Sequence, residues 1–168
     1  MVLYYTVFFL AGVAPLVSLF FLLGINDVPP YTLDLVTFEG LNNATHGRTI
    51  SPAFNLTLHV ENSRTFQAWC QSHGEVMVSY SGVTLAWGRV LGLCVQRRSA
   101  ADFAVVTRGD GIYLSDELRG RLTSELRAGK AVVLVEMKLH YYPNYVFLPI
   151  IPRSGTLSVS QGFMIGDT

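Results

Sequence analysis

The sequence predicts a mainly β protein: an antiparallel β-sandwich with one short helix, preceded by an N-terminal transmembrane helix. Three observations carry this. Residues 2–25 contain no charge, and nineteen of those twenty-four are apolar. Beyond them lie six to eight short segments that alternate or are rich in β-branched residues, separated by Gly- and Pro-containing turns. A single stretch, residues 115–129, has helical spacing instead. Composition agrees with a division into two parts. The chain of 168 residues is 50% hydrophobic but only 14% charged, against about 25% charged in an ordinary soluble domain. Without the first segment, the remainder falls to about 45% apolar, ordinary for a globular domain. The expected organisation is an anchor over 2–25, a membrane-proximal linker with a first strand over 26–48, and a β-sandwich over 49–168.

The anchor is justified by length. A helix over residues 2–25 would span roughly 36 Å at 1.5 Å per residue, enough for a hydrocarbon core of about 30 Å. Pro15 would kink it, which transmembrane helices tolerate, and Tyr4 and Tyr5 suit an interfacial aromatic belt. Two alternatives stand beside this reading. One is a cleaved signal peptide, although the run exceeds the usual 7–15 apolar residues, no Lys or Arg precedes it, and Pro15 would follow a cut after Gly12-Val13-Ala14. The other is a buried helix. Two glycosylation sequons follow, at Asn43-Ala44-Thr45 and Asn55-Leu56-Thr57. They favour a lumenal or extracellular C-terminal domain.

Residues 31–38 read as a first strand. In residues 54–61, Phe54, Leu56, Leu58 and Val60 alternate with Asn55, Thr57, His59 and Glu61, the pattern of a strand with one wet face. Asn55 then points outward. Residues 76–80 and 83–90 form a hairpin about Ser81-Gly82, Gly supplying positive φ. Its expected heavy face is Val76, Val78, Tyr80, Val83, Leu85 and Trp87, which assigns Trp87 to the core; Trp69 falls in a loop. Residues 103–107 and 131–141 are further strands. The first half of the latter is apolar on both faces, which predicts a central position. Residues 146–151 and 156–159 would supply the last strands. The helix starts at Ser115 as N-cap, carries Asp116 and Glu117 in its first turn, repeats Leu118, Leu122 and Leu126, and stops at Gly129. Glu117–Arg121 is its expected i,i+4 ion pair.

Positions paired across the hairpin sum to about 163, so Cys70 and Cys94 lie nearly opposite each other at its open end. A disulfide is expected there, given an oxidising compartment; the alternative is two separate buried thiols.

The strand around Phe54-Asn55-Leu56-Thr57-Leu58-His59-Val60-Glu61-Asn62, the hairpin with Ser81-Gly82-Val83-Thr84-Leu85-Ala86-Trp87-Gly88-Arg89-Val90, and the helix over 114–129 resemble the late-embryogenesis-abundant type 2 domain. This is also called the water-stress and hypersensitive-response domain. Together with the anchor, they resemble the plant harpin-induced-like membrane proteins over about residues 30–142. The resemblance implies an immunoglobulin- or fibronectin-like sandwich, a role in plant defence or abiotic stress, a location mostly at the plasma membrane, here with the C-terminal domain extracellular, and no known catalysis.

Zero net charge, from twelve basic and twelve acidic residues, argues against a nucleic-acid partner, which calls for a basic stripe. His46, His59, His73 and His140 show no metal-ligand spacing, and neither a Gly-x-Ser-x-Gly elbow nor a phosphate loop is present. No catalytic, cofactor-binding or metal residue is assigned, and no cofactor is expected. His73 and Glu75 near Cys70 are the one conceivable catalytic cluster. Arg108-Gly109-Asp110 is an adhesion tripeptide elsewhere, but at a strand end its residues suit a turn. Arg97-Arg98 and Arg119, Arg121 and Arg127 are local basic patches that, if clustered, would contact anionic lipid or polysaccharide. The expected function is a membrane-anchored, non-catalytic interaction module with an unidentified protein partner. The alternatives are a secreted lipid- or polysaccharide-binding sandwich after signal cleavage, and a hydrolase.

Overall fold

The computed structural model describes residues 2–22, 29–41, 49–64, 68–141 and 155–166. The elements in order are α1 (Val2–Leu22), β1 (Tyr31–Glu39), β2 (Thr49–Ile50), β3 (Ala53–Asn62), β4 (Trp69–Tyr80), β5 (Val83–Val90), β6 (Leu93–Val95), β7 (Ser99–Arg108), β8 (Ile112–Tyr113), α2 (Asp116–Arg127), β9 (Ala131–Tyr141) and β10 (Gly155–Ile165). The protein is mainly β and antiparallel. Eight strands form one sheet, ordered β1-β3-β7-β5-β4-β9-β10 with β6 beside β4; β2 and β8 form a separate two-stranded ladder. The large sheet is barrel-like and nearly closed.

α1 is a 21-residue helix with Pro15 inside it. Its described side chains are those of residues 5–9, 11–17 and 19. Counted over described residues, no helix is long and apolar enough to cross a membrane, so an anchoring role for α1 is taken up below as a proposal.

β3 follows its sequence pattern closely. Phe54, Leu56, Leu58 and Val60 are all buried, and Asn55 is exposed, its Nδ2 donating to Thr37 Oγ1 at 2.7 Å. β1 pairs with β3 along its length, so the strand grouped by sequence with the linker is an integral edge of the domain. One core joins Phe54, Leu56 and Leu58 of β3 to Val76 and Val78 of β4 and to Val133, Val135 and Met137 of β9.

The hairpin turn has Ser81 at φ 46° and Gly82 at φ 81°, the doubly left-handed geometry of a type I′ turn. Tyr80 faces Val83 and Ser79 faces Thr84, but Val78 faces Ala86. One extra residue therefore enters β5, and Leu85 and Ala86 are both buried. The bulge inverts the alternation beyond it. Trp87, expected in the core, points outward and is 44% exposed; Trp69, expected in a loop, lies in β4 and is 2% exposed.

One further expectation holds and one is corrected. β9 is central, between β4 and β10, yet Val132 and Leu134 are exposed: its second face is uncovered, because only the inner face of a curled sheet meets the core. On α2, Arg121 Nε pairs with Glu125 Oε1 at 2.8 Å rather than with Glu117, because Tyr80 also binds Glu125 and fixes that carboxylate. The remaining helix signals hold. Ser115 Oγ accepts from the Leu118 amide, Leu122 and Leu126 are buried, and Gly129 sits at φ 64°. The expected strand at 156–159 extends over all of β10. Residues 146–151 lie outside the described residues.

Candidate interaction face

Residues pointing away from the core on β4, β5 and β9 share one face through their registers. Met77 lies opposite Trp87 on one side and Glu136 on the other; Glu75 lies opposite Arg89 and Lys138. Glu75, Met77, Trp87, Glu136 and Lys138 line a small, shallow groove that is open to solvent. The Arg89 guanidinium sits 5.3 Å from the Trp87 ring centroid, within cation–π range. Thr84 Oγ1 lies 3.3 Å from Met77 Sδ. The groove thus combines an exposed indole, a deformable thioether and charges of both signs. That set suits adhesion to a mixed polar and apolar surface. The signal for this site was present in the sequence as Trp87, but the bulge that turns it outward was not.

Cys70 and Cys94 face each other in the β4–β6 ladder and are joined as a disulfide. The bulge supplies the register: positions sum to 163 beside the turn and to 164 beyond it. At the same end, buried Asn62 donates from Nδ2 to the carbonyls of Val95 and Gln96, and Gln71 Nε2 donates to Leu91 O. Asn55 is exposed on β3, with its Nδ2 bonded to Thr37 Oγ1; Asn43 lies outside the described residues.

Other residues singled out by sequence are dispersed. His73 stacks on His140 with ring centroids 4.6 Å apart. Ser72 Oγ lies 3.0 Å from His73 Nδ1 and donates to His140 O, and Thr156 Oγ1 is near His140 Nδ1. With Cys70 in a disulfide, no Cys–His nucleophile exists there. His59 contacts Asp102 across β3 and β7. Among the described residues, no group of three or more His, Cys, Asp or Glu is placed to hold a metal. Arg108-Gly109-Asp110 serves a turn: the Gly109 amide donates to Pro52 O at 2.8 Å, a Cβ there would strike Leu85 O, and Asp110 accepts from Ser51 Oγ. The basic patches are not clustered. Arg97-Arg98 lies at the disulfide end, whereas Arg119, Arg121 and Arg127 lie on α2.

At the opposite end, the Tyr80 hydroxyl donates to Glu125 Oε2 at 2.7 Å. Burial, reinforced by that hydrogen bond, pushes the Tyr80 phenol up to about 12. Hydrogen bonds from Arg121 and then Tyr80 hold Glu125 below the usual carboxylate range.

No family model matches the chain, and no curated protein matches it. Among solved structures, a protein from Archaeoglobus fulgidus is similar at 10% identity, over 84% of this chain and 100% of that one, with a TM-score of 0.39. A likeness at that level adds nothing to what the strand order states.

Proposed function

We propose that the protein is a membrane-anchored interaction module that uses the Trp87 face to bind another protein, without catalysis. The observation that carries this is Trp87 itself, 44% exposed just past the β5 bulge, with the Arg89 guanidinium over its ring. A large aromatic held outward and flanked by Met and charged groups is the composition of an interface centre. The finer fold reading is part of the same proposal. β5 meets β7 at the single pair Trp87–Arg108. That seam divides the sheet into β1-β3-β7 and β5-β4-β9-β10, the two layers of an immunoglobulin-like sandwich.

The anchor is α1. Its 21 residues carry no charge and reach about 31 Å as a helix, and Pro29 places the domain within a few residues of its end. The disulfide end, where β1 begins, then faces the bilayer, and the α2 end points away. An extracellular location at the plasma membrane would supply the oxidising compartment that the disulfide needs. A setting in plant defence or stress response rests on the resemblance to the late-embryogenesis-abundant type 2 domain alone. The secreted alternative uses the same groove. An indole beside Glu75, Glu136 and Lys138 would stack on a polysaccharide ring, and Arg97-Arg98 would meet anionic lipid.

The test has two arms. Alkaline extraction of membranes should leave the full chain in the pellet, and glycosidase treatment should lower its mass; a chain released by carbonate sinks the anchor. For the face, a photo-crosslinking residue at Lys138 should give a protein adduct that Trp87→Ala abolishes, while one at Thr32 gives none. Equal adducts at both positions, or insensitivity to Trp87→Ala, would overturn the proposal.

A further inference from the structure

The two edges of the large sheet are built differently. β1 is a managed edge. It follows Pro29-Pro30, carries Asp34 and Glu39, and is broken by a register shift between Leu35 and Thr37. Proline, charge and a bulge are the devices that keep an edge strand from pairing further. β10 has none of them. Its eleven residues, Gly-Thr-Leu-Ser-Val-Ser-Gln-Gly-Phe-Met-Ile, contain no charge and no proline. Its ladder with β9 runs from Gly155–Tyr141 to Ile165–Ala131 without a shift. Its other side pairs with no strand among the described residues. The strand is about 37 Å long at 3.4 Å per residue, and its free edge offers backbone donors and acceptors along that length.

We propose that β10 is a dimerisation edge that pairs antiparallel with β10 of a second copy of this chain. The argument for that occupant lies in the strand's own pattern. Leu157, Val159, Gln161, Phe163 and Ile165 share the core-facing side, because their partners on β9 are Leu139, Met137, Val135, Val133 and Ala131, all buried. Leu157, Val159 and Phe163 are only half-buried, and Gln161 is exposed. A two-fold axis through Gln161 sets Val159 against Phe163, Leu157 against Ile165, and Gln161 against itself. Each half-covered apolar side chain meets an apolar one, and the single polar position meets its own amide. On the outer side the same axis sets Ser160 against Gly162 and Ser158 against Met164, with no charge to repel. A two-fold interface of this kind is isologous and closes at the dimer. Strand addition supplies main-chain hydrogen bonds, and the alternate side chains supply the register. A net charge of zero leaves no global repulsion between copies. An unrelated extended peptide would satisfy the edge hydrogen bonds but not this palindromic pairing.

The test uses the full chain in detergent micelles and two variants at one exposed position. Gln161→Cys should form an intermolecular disulfide under mild oxidation, since directly opposed Cα atoms at about 4.5–5.5 Å lie within disulfide reach. Cysteine at Gly162 should not, because its partner across the axis is Ser160. Gln161→Lys opposes two ammonium groups and should weaken dimerisation by at least roughly tenfold. Its circular dichroism should stay unchanged, because the position is exposed in the monomer. Light scattering reads the mass. A dimer that becomes monomeric in Gln161→Lys, with crosslinking confined to position 161, supports the proposal. A monomeric wild type at tens of micromolar overturns it, as does a dimer indifferent to Gln161→Lys or crosslinking strongest at Gly162.

Discussion

The two ends of the sheet are held shut by different physics. At the end where β1 begins, closure is covalent: Cys70–Cys94 ties β4 to β6, and buried Asn62 staples the following turn through two carbonyls. At the other end closure is a plug. α2 sets Leu122 and Leu126 into the core, and Tyr80 reaches Glu125 from the hairpin. A crosslink acts mainly by shrinking the unfolded ensemble, whereas a plug acts by removing apolar surface from water. The first end is therefore vulnerable to reductant, and the second to cavities and pH.

The largest expected effect follows from removing the crosslink. For a loop of about 25 residues, the chain-entropy model gives roughly 3.5 kcal/mol. Cys70→Ala with Cys94→Ala, or reduction of the wild type, should lower the urea midpoint by a corresponding amount. If reduction leaves the midpoint unmoved, the disulfide end gains its order from packing and the contrast collapses. Leu122→Ala comes next. A fully buried leucine truncated to alanine costs about 3 kcal/mol where the site cannot collapse, and this loss should persist in reductant, because the two ends act independently. Coupling between Leu122→Ala and reduction would show one cooperative lock rather than two.

Capping and the tyrosine latch are smaller. Ser115→Ala should cost about 1 kcal/mol through loss of the hydroxyl that accepts from Leu118. Tyr80→Phe should cost about 1 kcal/mol near neutrality, and its effect should depend on pH. The folded phenol titrates at about 12 against an ordinary value of 10. Its stabilisation is fully present below 10 and is lost as pH rises through the folded value. The stability difference between wild type and Tyr80→Phe should therefore shrink between about pH 10 and pH 12, read from urea midpoints; a constant difference would exclude the latch as the titrating contact. Glu125, held low, contributes in the opposite direction, and its part fades as pH falls through the carboxylate range. The smallest effect belongs to neither end. Trp87→Ala should change stability by only about 0.5 kcal/mol, as exposed sites do, whereas Trp69→Ala, buried beside the disulfide, should cost several-fold more. Equal costs would place Trp87 in the core after all.

Much of the fold was legible because its signals are local. Ser115 needs only the amide three residues on, and Ser81-Gly82 needs only its own dihedral angles. Phe54, Leu56, Leu58 and Val60 need only a pleat. The candidate face was legible in its residues but not in its direction. One inserted residue between Ser79 and Val78 of the ladder exchanges the two sides of β5, and no alternation count reveals where a strand will slip. The exposure of Val132 and Leu134 was not legible for a related reason. An apolar residue can be inward or outward, and only the layer above it decides.

Taken alone, the sequence determined which residues of β3 share a face, where the helix starts and stops, and which two cysteines come opposite each other. Those are matters of spacing along one chain. Only the tertiary structure decided that Trp87 looks outward while Trp69 is buried, that Glu125 rather than Glu117 holds Arg121, and that β10 ends the sheet without a guard. Each of these depends on what lies across the sheet or beyond its edge. Period-two patterning is symmetric between the two faces and between the two sides of a strand, so it cannot specify which face is covered or which edge is free.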